Sequence, residues 1–176
     1  TVSGAAQPVA LQVLAISDPA CHGDSTGSIA IQASGGYGGY TFFWSVGGNG
    51  GVIGQLPAGL YTVTLTDQQG CSATETYMIK QPPAFAFSST ADSLSAGWQV
   101  SLTLVGGTPP YAIVWNAAAG NQVGPVATGL AGGVYEATAT DAQGCVYAVT
   151  GIVAGTVSAG VVPKVGEVRL WPNPSD

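Results

Sequence analysis

Positive charge is almost missing from this sequence. Its 176 residues hold three cations, Lys80, Lys164 and Arg169, against nine acids, and residues 81–155 carry neither Lys nor Arg. Phosphate binding needs cationic side chains, so nucleic acid is excluded as a partner, and an anionic membrane surface is disfavoured for the same reason. Histidine occurs once, at His22. No CxxC pair or Cys/His cluster with zinc spacing is present. No apolar run approaches the roughly 18 residues of a membrane span. The residues from Thr1 lack the basic and apolar regions of a signal peptide, so the start reads as mature or as cut from a longer chain. Helical periodicity is absent as well, and Gly, at 27 residues, is abundant. With so few charges, the surface must be built from Gly, Ser, Thr, Ala and Gln. Such a surface suits an extracellular module, a sugar-decorated protein or a packed fibre.

What is present is present twice. "GGYGGYTFFWS" (35–45) and "GGTPPYAIVWN" (106–116) share Gly-Gly, Tyr and Trp at one spacing. Upstream, "GSIAIQASGG" (27–36) matches "WQVSLTLVGG" (98–107), and downstream "GLYTVTLTDQQGC" (59–71) matches "GVYEATATDAQGC" (133–145). The offset is 71 positions at Gly35/Gly106 and 74 at Gly59/Gly133, so an insertion lies between Trp115 and Tyr135. "GAAQPVALQV" (4–13) and "YMIKQPPAFAF" (77–87) each carry Gln-Pro before an alternating run, so residues 1–7 read as the tail of a preceding repeat. The runs "VALQVLAI", "SIAIQAS", "YTFFWSV" and "YTVTLTD" alternate with period two, as half-buried strands do. The fold class is therefore all-β: tandem Ig-like antiparallel sandwich repeats of six or seven short strands. The boundaries are 8–81 for repeat one, 82–155 for repeat two, 156–167 for a linker and 168–176 for a further segment. Tyr40, Trp44 and Tyr61 in repeat one, and Tyr111, Trp115 and Tyr135 in repeat two, are the expected core aromatics. Phe43 and Val114 belong on the opposite face of their strand.

Candidate chemistry is sparse. Asp18, His22 and Ser25 offer a Ser-His-Asp set by type, but neither a strained nucleophile nor an oxyanion hole is signalled. Asp18 and Asp24 lack the DxDxDG calcium pattern. Asp67 and Asp141 open "DQQG" and "DAQG", where Asp first and Gly fourth suit a tight turn. The Thr62, Thr64, Thr66 row, echoed by Thr138 and Thr140, reads as the solvent face of a strand rather than as an ice- or sugar-binding row. No enzyme activity, cofactor or metal is expected. Three cysteines, Cys21, Cys71 and Cys145, leave at least one without a partner inside the chain.

The segments "CHGDSTGSIAIQASGGYGGYTFFWS" and "LPAGLYTVTLTDQQGC", closed by Gln-Pro, resemble the SprB repeat and, more loosely, the PKD domain. The second repeat departs at its start, where Asp92 stands in the place of Cys21, and the Asp-Phe-Gly-Asp-Gly segment of PKD domains is absent after both Trp residues. "VRLWPNPSD" (168–176) resembles the opening of the type IX secretion sorting domain, with Pro172, Asn173 and Pro174 as its motif. The resemblance implies a secreted, cell-surface repeat protein, adhesive or serving gliding, whose partners are neighbouring repeats and the type IX machinery, with surface polysaccharide or self-assembly beyond them. An accessory spacer or carbohydrate-binding region of a secreted hydrolase, and a subunit of an extracellular filament, are the alternatives. A staple between Cys21 and Cys71 is expected in an exported repeat of this size, although the A–B and F–G turns of an Ig sandwich lie at opposite ends. Cys145 would then be a buried or interchain thiol. "DST" and "DSL" resemble the O-glycosylation sequon of the bacterial phylum that uses type IX secretion, with Ser25 and Ser93 as acceptors in the corresponding loop of each repeat.

Overall fold

The computed structural model describes residues 7–155, so Pro172, Asn173 and Pro174 and the sorting segment around them lie outside the described residues. It divides between Gln81 and Pro82 into two compact units. Each unit is an all-β sandwich of two three-stranded antiparallel sheets.

In the first unit β1 (Ala10–Ser17), β2 (Gly27–Ser34) and β4 (Val52–Leu56) form one sheet in the order β1-β2-β4. β3 (Thr41–Trp44), β5 (Gly59–Thr66) and β6 (Ser72–Ile79) form the other, in the order β3-β5-β6. Alternation decides which face each strand buries. Ile29 and Ile31 of β2 face Tyr61 and Val63 of β5, and Trp44, Leu56 and Ile79 complete one cluster drawn from both sheets. Leu11, Phe42, Ile53 and Tyr77 pack around it, half-buried. The outer face of β5 and β6 carries the threonines, paired across the strands as Thr62–Thr76 (2.9 Å) and Thr64–Thr74 (3.2 Å). Hydroxyl pairs of this kind stabilise a sheet locally. Phe43, 71% exposed, shares that outer face.

The second unit repeats the plan. β7 (Ala86–Leu94), β8 (Gly97–Val105) and β10 (Val126–Leu130) pair in the order β10-β8-β7. β9 (Ala112–Trp115), β11 (Gly133–Thr140) and β12 (Val146–Ala154) pair in the order β12-β11-β9. The extra residues after Trp115 form a single 3-10 turn, Ala117–Ala119, capped by Asn116, whose side chain accepts from the Ala119 N–H. The units also differ at their first connection. Residues 18–26 form a loop between β1 and β2, whereas β7 turns directly into β8 over Ser95 and Ala96, with Leu94 opposite Gly97.

β4 is the strand that alternation leaves unmarked. Gly54 interrupts its pattern, and Gln55 adopts φ +57, a left-handed conformation that ordinary side chains disfavour. Gly129 stands at the corresponding place in β10 with φ +68. Gln55→Gly is therefore expected to stabilise the first unit by about 0.5–1 kcal/mol, the relief of strain exceeding the entropy a glycine adds to the unfolded chain. A urea titration reads this as a higher midpoint; a lower one would mean that the Gln55 side chain holds the bend.

Candidate functional site

The double glycines sit where two segments close on the β2–β3 loop. Gly35 and Gly36 have φ +73 and +60, and a Cβ on Gly35 would lie 2.1 Å from the carbonyl oxygen of Pro8. A Cβ on Gly36 would lie 2.6 Å from Oδ2 of Asp67. In the second unit the same clashes would fall on Ala84 (1.9 Å) and Asp141 (2.9 Å). Only glycine lets the Gln-Pro segment and the acid approach so closely. Gly36 N–H donates to the Gln7 carbonyl (2.7 Å), and Gly107 N–H donates to that of Pro83 (2.8 Å).

Asp67 and Asp141 are both buried, 5% exposed. Each closes its tight turn as expected, with Gly70 N–H donating to the Asp67 carbonyl and Gly144 N–H to that of Asp141, both at 3.0 Å. The carboxylates do more than turn the chain. Asp67 accepts from the N–H groups of Gln69, Cys71 and, across the sandwich end, Tyr37. Asp141 accepts from Gln143, Cys145 and Thr108 N–H and also from the Tyr147 hydroxyl, a donor that Ala73 cannot supply in the first unit. Burial raises each carboxyl's pKa, but the hydrogen bonds outweigh it, and both lie below the ordinary aspartate value. These acids hold the β2–β3 and β8–β9 loops to the turns beside them. The recurrence of Gly-Gly with an Asp downstream in both repeats was the signal for this clamp.

The aromatic residues hold loops in a similar way. Trp44 and Trp115 are fully buried, and their indole N–H groups donate to the Gly50 and Gly124 carbonyls, both at 2.9 Å. Tyr61 and Tyr135 are buried at the start of β5 and β11, each hydroxyl donating to the carbonyl four residues upstream, Pro57 (2.7 Å) and Ala131 (2.9 Å). This is the corner by which sandwich folds pin the chain entering a strand. Tyr40 and Tyr111 are not core residues. Tyr40 is exposed and Tyr111 half-buried, because each precedes its strand and its hydroxyl reaches back to the carbonyl of Gly35 or Gly106.

The cysteine pairing differs from expectation. Cys71 is a free, exposed thiol. Cys21, on the β1–β2 loop, and Cys145, in the β11–β12 turn, are each disulfide-bonded, so Cys145 is not a free thiol. The reason is distance within the first unit. The loop of Cys21 is tied to the far end of β6, through Lys80 N–H to Asp18 Oδ1 (2.8 Å) and Gly23 N–H to Gln81 Oε1 (2.9 Å). Cys71 sits before the near end of the same strand. Eight extended residues span roughly 27 Å, and a disulfide requires Cα atoms within about 7 Å.

Asp18 is thus occupied in closing the strand end, and Asp24 N–H donates to the Cys21 carbonyl (3.4 Å). His22 is half-buried in that loop. Among the described residues no group of three His, Cys, Asp or Glu side chains could hold a metal, and no helix is long and apolar enough to cross a membrane. Ser25 is exposed on the β1–β2 loop. Ser93 is exposed too, but it lies within β7 opposite Trp98, not in a corresponding loop, because the direct β7–β8 hairpin replaces that loop.

No curated protein and no solved structure matches the chain. The family model of the SprB repeat, a structural repeat associated with cell-surface proteins, matches residues 13–49, the segment that contains the cysteine-bearing loop, β2, the double glycine and Trp44.

Proposed function

We propose that the chain is a non-catalytic, structural and adhesive repeat region of a secreted cell-surface protein, in which tandem sandwiches present or space an adhesive surface for attachment or gliding. The observation that supports this reading best is what the polar side chains do. In both units the buried acids, the Trp indoles and the hydroxyls of Tyr61, Tyr135 and Tyr147 bond to backbone or to one another, and the match to the SprB repeat, over residues 13–49, includes Trp44 and the double-glycine loop of the first unit. Such modules act by number: many weak contacts in one chain raise the effective concentration at a surface. Export by the type IX route, through Pro172, Asn173 and Pro174, belongs to the same reading. Ser25 is the better placed glycan acceptor, since it is an exposed loop residue, and a sugar there would hydrate a surface with few charges.

Brief protease treatment of intact source cells tests the surface assignment. The full protein should be shaved from the cells while cytoplasmic proteins survive, and deletion of the sorting segment should retain it inside. Protein that resists shaving on intact cells but is cut after lysis would overturn the reading. Intact mass of the shaved fragment should exceed the bare chain by a glycan that Ser25→Ala removes; a bare mass would remove the sugar.

A further inference from the structure

Asparagine, one of the chemically labile residues, occurs at positions 49, 116, 121 and 173, and only Asn49 precedes a glycine. Asn49 and Gly50 lie in the loop between β3 and β4, and both are exposed to water. Among the described residues the Gly50 N–H donates to no backbone carbonyl. A Cβ on Gly50 would find no atom beyond its chain neighbours nearer than 3.9 Å, so the space beside it is open. Glycine also brings no side chain of its own to crowd an approach to that nitrogen.

The same peptide bond lies between two anchors of the core. Trp44 N–H donates to the Gly48 carbonyl (3.4 Å), and its indole N–H donates to the Gly50 carbonyl (2.9 Å). Gly51 is held next, its carbonyl accepting from Ile31 N–H of β2 (2.7 Å). The second unit holds its Trp by the same pair of bonds, from Trp115 N–H to the Gln122 carbonyl (2.8 Å) and from the indole N–H to the Gly124 carbonyl (2.9 Å). Val123, exposed like Asn49, stands in its place there and carries no amide.

From this juxtaposition we propose that Asn49 is a site of spontaneous covalent modification, becoming aspartate and isoaspartate, and that the isoaspartate form loosens Trp44 and weakens the first unit alone. The Gly50 nitrogen gives up its proton to hydroxide and attacks Cγ of Asn49. The N–Cγ bond forms, the Cγ–Nδ2 bond breaks, and ammonia leaves with a proton from water. Water then opens the five-membered imide. Cleavage of the N–Cγ bond gives aspartate. Cleavage between that nitrogen and the main-chain carbonyl carbon of residue 49 gives isoaspartate, whose main chain runs through Cβ and Cγ. No electrons are exchanged, and water is the only co-reactant. The chain between the Gly48 and Gly50 carbonyls is then one carbon longer and bears a new carboxylate. Because Gly51 is fixed on β2, the loop must shift at Gly50, and the buried indole N–H of Trp44 loses its acceptor.

Ageing the 176-residue chain at mildly alkaline pH, beside a peptide of residues 45–53, tests this. Peptide mapping of the aged chain should find residue 49 converted, with the isoaspartate form accepting a methyl group from S-adenosylmethionine through an isoaspartate-specific methyltransferase. In amide NMR spectra under rising urea, the first unit of the aged chain should lose its dispersion at a lower midpoint than in fresh chain, while the second unit keeps its midpoint. Asn49→Val should abolish both the conversion and the shift. Intact Asn49 in the folded chain, over a time in which the peptide converts, would show that the loop blocks the imide and would overturn the proposal. Conversion with no fall in the first unit's midpoint, or the same fall in Asn49→Val, would break the link to Trp44 and overturn it as well.

Discussion

Trp115→Ala is expected to unfold the second unit, and Trp44→Ala the first. Trp44 is buried among Ile29, Ile31, Leu56, Tyr61, Val63 and Ile79, with the Tyr77 ring 6.3 Å away. Trp115 is buried at the same place in β9, opposite Ala137 of β11. Truncating a buried Trp costs about 3–5 kcal/mol, the lost transfer energy plus the cavity. The lost indole N–H also leaves the Gly50 or Gly124 carbonyl without that donor. A sandwich of about 74 residues has a total stability of roughly 4–11 kcal/mol, so the loss takes most or all of it. An amide NMR spectrum separates the outcomes: the resonances of one unit should collapse to unfolded positions while those of the other persist. A mutant that keeps full dispersion and its melting temperature would return the Trp pair to the role of an exposed platform, which their burial opposes.

The period-two runs, the Gly-Gly and Gln-Pro punctuation and the repeat itself were enough to place most strands and the sandwich class. Each is a local signal, and the two copies check one another. β4 escaped because Gly54 and Gln55 break its alternation, and its pairing is specified by β2 rather than by its own residues. Tyr40 and Tyr111 leave the core for a related reason: the alternation of β3 and β9 runs on to them in sequence, but the chain is not yet a strand at those positions. The cysteine pairing is set at a different level. Thiol pairing depends on which ends of the sandwich two turns occupy, and no short-range pattern reports that. Ser93 shows the same limit, since deletion of a loop moved an aligned position into a strand.

Asp141→Ala should destabilise the second unit by about 3 kcal/mol and remove part of its acid sensitivity. The carboxylate is 5% exposed and receives Gln143 N–H (2.9 Å), Cys145 N–H (3.0 Å), Thr108 N–H (2.9 Å) and the Tyr147 hydroxyl (3.1 Å). Alanine leaves these donors without their acceptor. An unpaired buried donor costs about 1–3 kcal/mol, and water entering the end of the sandwich will restore some of them, which keeps the sum well below four full penalties. Asp141→Asn keeps the shape but turns one N–H₂ donor toward a donor, so it should fall between wild type and alanine. The pH dependence follows from the direction of the shift. Burial pushes the Asp141 carboxyl up, the bonds from Thr108, Cys145, Gln143 and Tyr147 pull it further down, and the folded value lies below the 3.8 of an ordinary aspartate. The unfolded state then binds the proton first as pH falls, so the contribution is complete above 3.8 and is lost between 3.8 and the depressed native value. Asp67 titrates in the same direction. Urea midpoints measured from pH 7 down to pH 2 should stay level to about pH 4 on this account and then drop. In Asp141→Asn the second unit's drop should be shallower than in wild type. An equal drop in both proteins would show that folding leaves the Asp141 carboxyl unshifted, and that the loop is held by the backbone bond from Ala142 N–H to the Thr108 carbonyl (2.9 Å) instead.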